Sequence, residues 1–109
     1  MVSKVKLELK QRKKKDKEWS IEVKNNFNNK CAFCPILKMI NAHHIIPREI
    51  KEFRHDVLNG IGLCPKHHKW GVNSAHRNPL WFFIKLEELY PLKIDKLVSK
   101  YRSILNENK

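Results

Sequence analysis

The stretch Asn59-Gly-Ile-Gly-Leu-Cys-Pro-Lys-His-His68 decides how this chain is built. Asn59-Gly60 is a turn signal, and Ile61-Gly-Leu63 behind it reads as a short strand. Cys64-Pro65 then opens a helix, because proline is at home in a first helical turn, and Gly71 is placed to end it. Upstream, Asn41-Ala-His-His-Ile-Ile46 reads as a partner strand stopped by Pro47. Residues 48–58 between them are polar and irregular, with Phe53, Val57 and Leu58 as anchors. Strand, loop, strand and helix within 41–71 outline a ββα finger.

Cysteine and histidine punctuate the same stretch. Cys31-x2-Cys34 and Cys64-x2-His67 each have knuckle spacing, and together they form a Cys3His set for tetrahedral zinc. A tight turn aims two donors at one ion, and two such turns complete the shell. A closed shell leaves no position for substrate, so this zinc is expected to be structural. The alternative is three ordinary buried cysteines that happen to fall at this spacing. His43, His44 and His68 remain, gathered by the hairpin and the helix that follows it. Single histidines are usually structural, but three on one hairpin indicate chemistry. Neighbours on a helix point about 100° apart, so His67 is free to complete the knuckle while His68 faces the hairpin.

Moving outward, Trp19, Val23 and Phe27 recur every four residues and predict a helix over roughly 17–28, which the asparagines at 25, 26, 28 and 29 fray into a loop. Before it, Val5, Leu7 and Leu9 alternate with charged residues as in a short strand, and Gln11–Lys17 reads either as a solvated basic arm, which would itself strengthen nonspecific DNA binding, or as a specific phosphate grip. Residues 1–16 are thus expected to form a basic strand and arm, and 17–109 one domain. Beyond the finger, Asn78-Pro79 caps a helix through Leu80, Phe83, Leu86 and Leu89. Pro91 interrupts it, and Ile94, Leu97, Val98, Tyr101, Ile104 and Leu105 define a last helix, the pair covering about 79–107. The last helix either packs internally or forms a dimer. Trp81, Phe82 and Phe83 are read as packing residues rather than as base-stacking platforms. The expected class is α+β and mostly helical: a ββα finger with a zinc knuckle, an N-terminal helix and two C-terminal helices.

Charge bounds the partners. Lys plus Arg number 23 against 11 Asp plus Glu in 109 residues, a formal net charge of +12. An excess of this size attracts polyanions, nucleic acid first among them. There is no apolar run long enough for a membrane span or a signal peptide, so an intracellular protein without a membrane partner is expected. In that setting disulfides are rare, and an odd count of three cysteines cannot all be paired.

Taken together, Cys31-Ala-Phe-Cys34, Ala42-His-His-Ile-Ile-Pro47 and Asn59 through His68 resemble the HNH endonucleases, a branch of the His-Me finger nucleases, over about residues 17–83. Ser74-Ala-His-Arg-Asn-Pro79 is similar to an extension of phage-type members. His67 departs from the family, many members of which have Cys there. The resemblance implies a ββα-metal finger that hydrolyses double-stranded DNA with low sequence specificity. It implies His44 as the general base, Asn59 as the residue orienting hairpin and base, and His43 and His68 as ligands of a catalytic divalent ion (Mg, Mn, Ni, Co or Zn). His76 is a third ligand, a phosphate contact or a surface histidine. Arg54, His55 and Arg77 are candidate DNA contacts, against the alternative of solvated charge. Both rings of His43-His44 must reach one phosphate, so the strand is expected to turn irregular there. A phage or mobile-element setting follows from the resemblance alone, including a role beside a genome-packaging partner. The competing readings are a noncatalytic zinc-containing nucleic-acid-binding module and a protein-binding adaptor whose charge serves solubility.

Overall fold

A computed structural model describes residues 3–107 of the chain. The protein is α+β and mostly helical, with one two-stranded antiparallel sheet. By its internal contacts it divides after Cys64, and the two parts are taken in turn.

The first part opens with a single helix, α1, Lys4–Asn26. No Gly or Pro interrupts this segment, which is rich in Lys, Glu and Leu. Ser3 caps it, its Oγ accepting from Lys6 N at 3.1 Å. Here the expected strand and arm are corrected. Val5, Leu7 and Leu9 lie in α1 with side chains 65%, 48% and 40% exposed, and the basic run is the middle of the same helix. A lone strand leaves its backbone groups without partners, whereas a helix satisfies its own. At the other end Asn28 and Asn29 adopt left-handed φ of 56° and 53°, and Asn29 N donates to Lys24 O at 2.8 Å. Asparagine tolerates this conformation, so the run closes the helix in an ordered way.

The hairpin pairs β1, Asn41–His44, with β2, Gly60–Leu63, in the register Asn41↔Leu63 to His44↔Gly60. A short helix α2, Lys51–Arg54, and a 3₁₀ turn, Val57–Asn59, fill the long connection. Trp19 and Val23 of α1 are buried with Phe53, Ile61 and Leu63, and α1 packs on both strands. Gly60 permits this approach. A Cβ there would overlap Val23 Cγ2 and lie 2.9 Å from Trp19 Cζ2. The sequence marked Asn59-Gly60 as a turn signal; in the structure the glycine serves a helix laid against its backbone.

The second part begins with a turn over Lys66–Trp70 whose closing bond, Gly71 N to Lys66 O at 2.9 Å, spans five residues. This is a π turn. Gly71 ends it in extended backbone, φ −74° and ψ 152°, not in the left-handed cap its type suggests. A Cβ at Gly71 would lie 2.6 Å from Lys66 O, which is why no side chain stands there. The following loop folds back on the turn, with Ala75 N donating to His67 O and His76 N to His68 O. Asn78 then caps α3, Pro79–Leu89, by accepting from Trp81 N at 3.1 Å. Helix α4, Pro91–Glu107, follows, and Phe82, Leu86, Ile94 and Leu97 are buried. Of the three adjacent aromatics in α3 only Phe82 is buried. Among the described residues no helix is long and apolar enough to cross a membrane.

Candidate metal centres and hairpin site

The donor atoms of Cys31, Cys34, Cys64 and His67 all lie within 4.8 Å of one another. The knuckle loop is tied down at both ends: Cys31 N donates to Ile36 O at 2.9 Å, and Ala32 N to Gly62 O of β2 at 2.8 Å. Cys34 Sγ and Cys64 Sγ are 3.7 Å apart, and all three cysteines are free thiols. A disulfide requires about 2.05 Å. Two thiolates on tetrahedral zinc, with bonds of about 2.3 Å, stand about 3.8 Å apart. The observed separation fits the second case, so this group is compatible with a structural zinc. Burial pushes the Cys31 thiol up to about 11. A cation inside the cluster reverses that penalty by stabilising the thiolates directly.

His68, the neighbour of His67, belongs to a different group. The ligand nitrogens of His43, His68 and His76 also lie within 4.8 Å of one another. His76 Nε2 is 3.1 Å from His68 Nε2. Two imidazoles on one ion at about 2.1 Å would be separated by roughly 3.0 Å in octahedral and 3.4 Å in tetrahedral geometry, and the observed value lies between. Burial, then the nearby His76 and Lys69, lowers His68 to about 4, so its imidazole is neutral and keeps a lone pair at neutral pH. The two adjacent histidines part as their positions on one turn require: the His67 ring stacks on Trp81 with centroids 5.9 Å apart, and the His68 ring meets His76 edge-on at 4.7 Å.

The strand does not turn irregular at His43-His44. Pairing is regular through His44↔Gly60, so the two side chains leave on opposite faces. The His44 ring stacks on Trp19 at a centroid distance of 3.8 Å, and its Nε2 donates to Arg54 O at 2.9 Å. A carbonyl can only accept, so Nε2 carries the proton and Nδ1 the lone pair. Among the described residues Nδ1 has no hydrogen-bond partner. Burial lowers the His44 pKa, favouring the neutral ring.

Asn59 is fully buried and acts as a clamp. Its Oδ1 accepts from Ile46 N at 2.6 Å, and its Nδ2 donates to Ile46 O at 2.8 Å and Phe53 O at 3.2 Å. Its own carbonyl accepts from Ile45 N at 3.0 Å, extending the ladder past the last strand pair. Only a side-chain amide offers donor and acceptor in this arrangement.

The three candidate DNA contacts are engaged within the protein. Arg54 forms a two-pronged pair with Asp16, Nε to Oδ1 at 2.9 Å and Nη2 to Oδ2 at 2.8 Å. His55 Nε2 meets the same carboxylate at 2.6 Å. The hydrogen bond from Arg54, against burial and with help from His55, holds Asp16 down at about 2. Arg77 Nη1 donates to Trp70 O at 3.0 Å.

Asp16 and Trp19 escaped the sequence reading as parts of the site. They share one face of α1, three residues apart, and both grip the 54–56 segment that holds His44; Trp19 Nε1 donates to Asp56 O at 2.8 Å. The signal was present in the helical spacing of Arg12, Asp16, Trp19 and Val23. Placing residues 11–17 in an arm concealed it. Comparison of the chain with protein-family models, with curated proteins and with solved structures finds no match.

Proposed function

We propose that this protein is a metal-dependent endonuclease of the HNH type that hydrolyses phosphodiester bonds of double-stranded DNA, on a ββα-metal finger formed by β1, β2 and the Lys66–Trp70 turn. One observation carries the reading: three imidazoles, His43, His68 and His76, bring ligand nitrogens within 4.8 Å of one another, and the residue after His43 is a fourth imidazole with a fixed tautomer. A structural zinc site has no use for a second histidine cluster, and His44, on the other face of β1, keeps an open lone pair. The net charge of +12 supplies attraction to the substrate.

A divalent ion on His43, His68 and His76 would supply positive charge for the phosphate oxygens and the departing 3′ oxygen. His44 acts on water. Its Nδ1 takes a proton as the water oxygen bonds to phosphorus, the bond from phosphorus to the 3′ oxygen breaks, and that oxygen leaves to gain a proton from solvent water. The products are a 5′ phosphate and a 3′ hydroxyl. The carbonyl of Arg54, holding Nε2–H, steadies the imidazolium that forms. Asn59 keeps the end of the hairpin in place beneath it.

Plasmid nicking, with EDTA and add-back of Mg, Mn, Ni, Co or Zn, tests the proposal. His44→Gln retains an amide donor for Arg54 and a flat group beside Trp19 but no base. Cutting by this variant is expected to fall by about 10²–10⁴, with zinc content and duplex affinity unchanged. Undiminished cutting would remove His44 from the mechanism. A second reading, a noncatalytic zinc-containing module that binds nucleic acid, is favoured by the lysines of α1 and by the packing of His44 on Trp19. It stands if the wild-type protein binds duplex but cuts with none of the metals.

A further inference from the structure

Helix α1 carries more positive charge than packing or capping explains, and its arrangement is specific. At about 100° per residue, Asp16, Trp19 and Val23 form the inward face; Trp19 and Val23 are buried and Asp16 is bound to Arg54. Roughly 120° around the helix, Lys6, Lys10, Lys13 and Lys17 follow at spacings of four, three and four residues. Lys14 and Lys24 flank them. This arc of about 100° holds these six lysines and no carboxylate, since Glu8, Asp16, Glu18 and Glu22 all fall outside it. Lys6, Lys10, Lys13 and Lys17 are exposed, and none of the four has an ion pair among the described residues.

The pattern opposes the stability of the free helix. Lys6 with Lys10, Lys10 with Lys14, and Lys13 with Lys17 are like charges four residues apart, which repel. Charge serving solubility alone needs no such segregation and is usually interspersed with acid. The apolar residues at this end do not collect on one face: Val5 and Leu9 lie on one side of the arc and Leu7 on the other. An interfacial membrane helix needs a continuous apolar face.

We infer that the Lys6-Lys10-Lys13-Lys17 stripe of α1 is a second DNA-binding surface, gripping successive backbone phosphates of a duplex along about 17 Å of helix. It rests on the proposed function for the identity of the polyanion. Asp16 and Trp19, one turn apart on the same helix, hold the segment that holds His44. The stripe is therefore built on the same rigid element as the hairpin site and would place duplex and base together.

The test is fluorescence anisotropy of the full-length protein on a labelled duplex across salt concentrations, in the His44→Gln background so that the probe stays intact. Replacing all four lysines by Gln retains helix propensity, which circular dichroism verifies. The slope of log K against log salt is expected to fall by about 3 to 4, near 0.9 per phosphate released. A control, Lys30→Gln, Lys38→Gln, Lys96→Gln and Arg102→Gln, removes the same charge elsewhere and should leave the slope within about 1. Equal changes in both variants would reduce the stripe to diffuse net charge and overturn the proposal. So would an unchanged slope together with loss of binding to phosphatidylserine vesicles, which would make the partner a membrane. Plasmid nicking of the wild type reports on the active-site reading separately: a binding-only protein would still show the slope, and a nuclease could still lack the stripe.

Discussion

Two clusters of side chains in this protein could each hold a metal ion, and the division between them runs between adjacent residues, His67 and His68. The first cluster is rich in sulfur, with Cys31 and Cys64 buried, and its four donors match the number a tetrahedral zinc needs. The second has three imidazoles and includes the exposed His76. Four donors and burial describe a site that holds the chain together. Three imidazole donors and access to solvent describe one that leaves room for a ligand. The difference follows from donor chemistry and from which side of one turn each residue occupies.

The largest effect should come from breaking the first cluster. Zinc contributes on the order of 10 kcal/mol in isolated fingers, about as much as the whole stability of a typical small domain. Cys34→Ala, or strong chelation, is expected to abolish the cooperative thermal transition as well as the zinc content measured by atomic absorption. A variant that melts like wild type would show the thiols to be ordinary core residues.

A sharper test substitutes the neighbouring histidines one at a time. His67→Ala should lose zinc and stability together. His68→Ala should retain one zinc per chain and melt within a few degrees of wild type, while its affinity for a second divalent ion, read by calorimetry, falls at least tenfold. The same pattern in both variants would collapse the two clusters into one.

The smallest effect concerns the support of His44, which depends on charge pairing rather than on metal. Asp16 has its pKa depressed from 3.8 to about 2 by Arg54 and His55. A depressed carboxyl contributes stability that is fully present above its unfolded pKa and lost as pH falls through the folded one. The advantage of wild type over Asp16→Asn in urea unfolding should therefore hold at neutral pH and close between about pH 4 and 2. The pair is partly open to solvent, so the difference should be modest. A gap that widened on acidification would contradict the assignment.

Much of this organisation was legible in local sequence. Knuckle spacing named Cys31, Cys34, Cys64 and His67, and spacing from Cys64 chose His67 over His68. Asn78-Pro79 and Pro91 marked the starts of α3 and α4 within a residue. The N-terminal alternation of Val5, Leu7 and Leu9 misled, because a period of two in a short segment says nothing about whether a partner strand exists. His76 could not be distinguished from a surface histidine until a backbone bond from its N–H to His68 O folded the 74–78 loop onto the turn.

What the sequence determined by itself is what depends on near neighbours: donor spacing, caps, strand alternation and net charge. Apart from the two knuckle pairs, tertiary structure alone decided which residues meet across long separations. It brought Asp16 to Arg54, 38 positions away, and Trp19 to Asp56, 37 positions away. It also gave Gly60 its purpose, since only a docked helix makes a missing Cβ necessary. Such contacts depend on how elements pack in three dimensions, and no local pattern of residues encodes that distance.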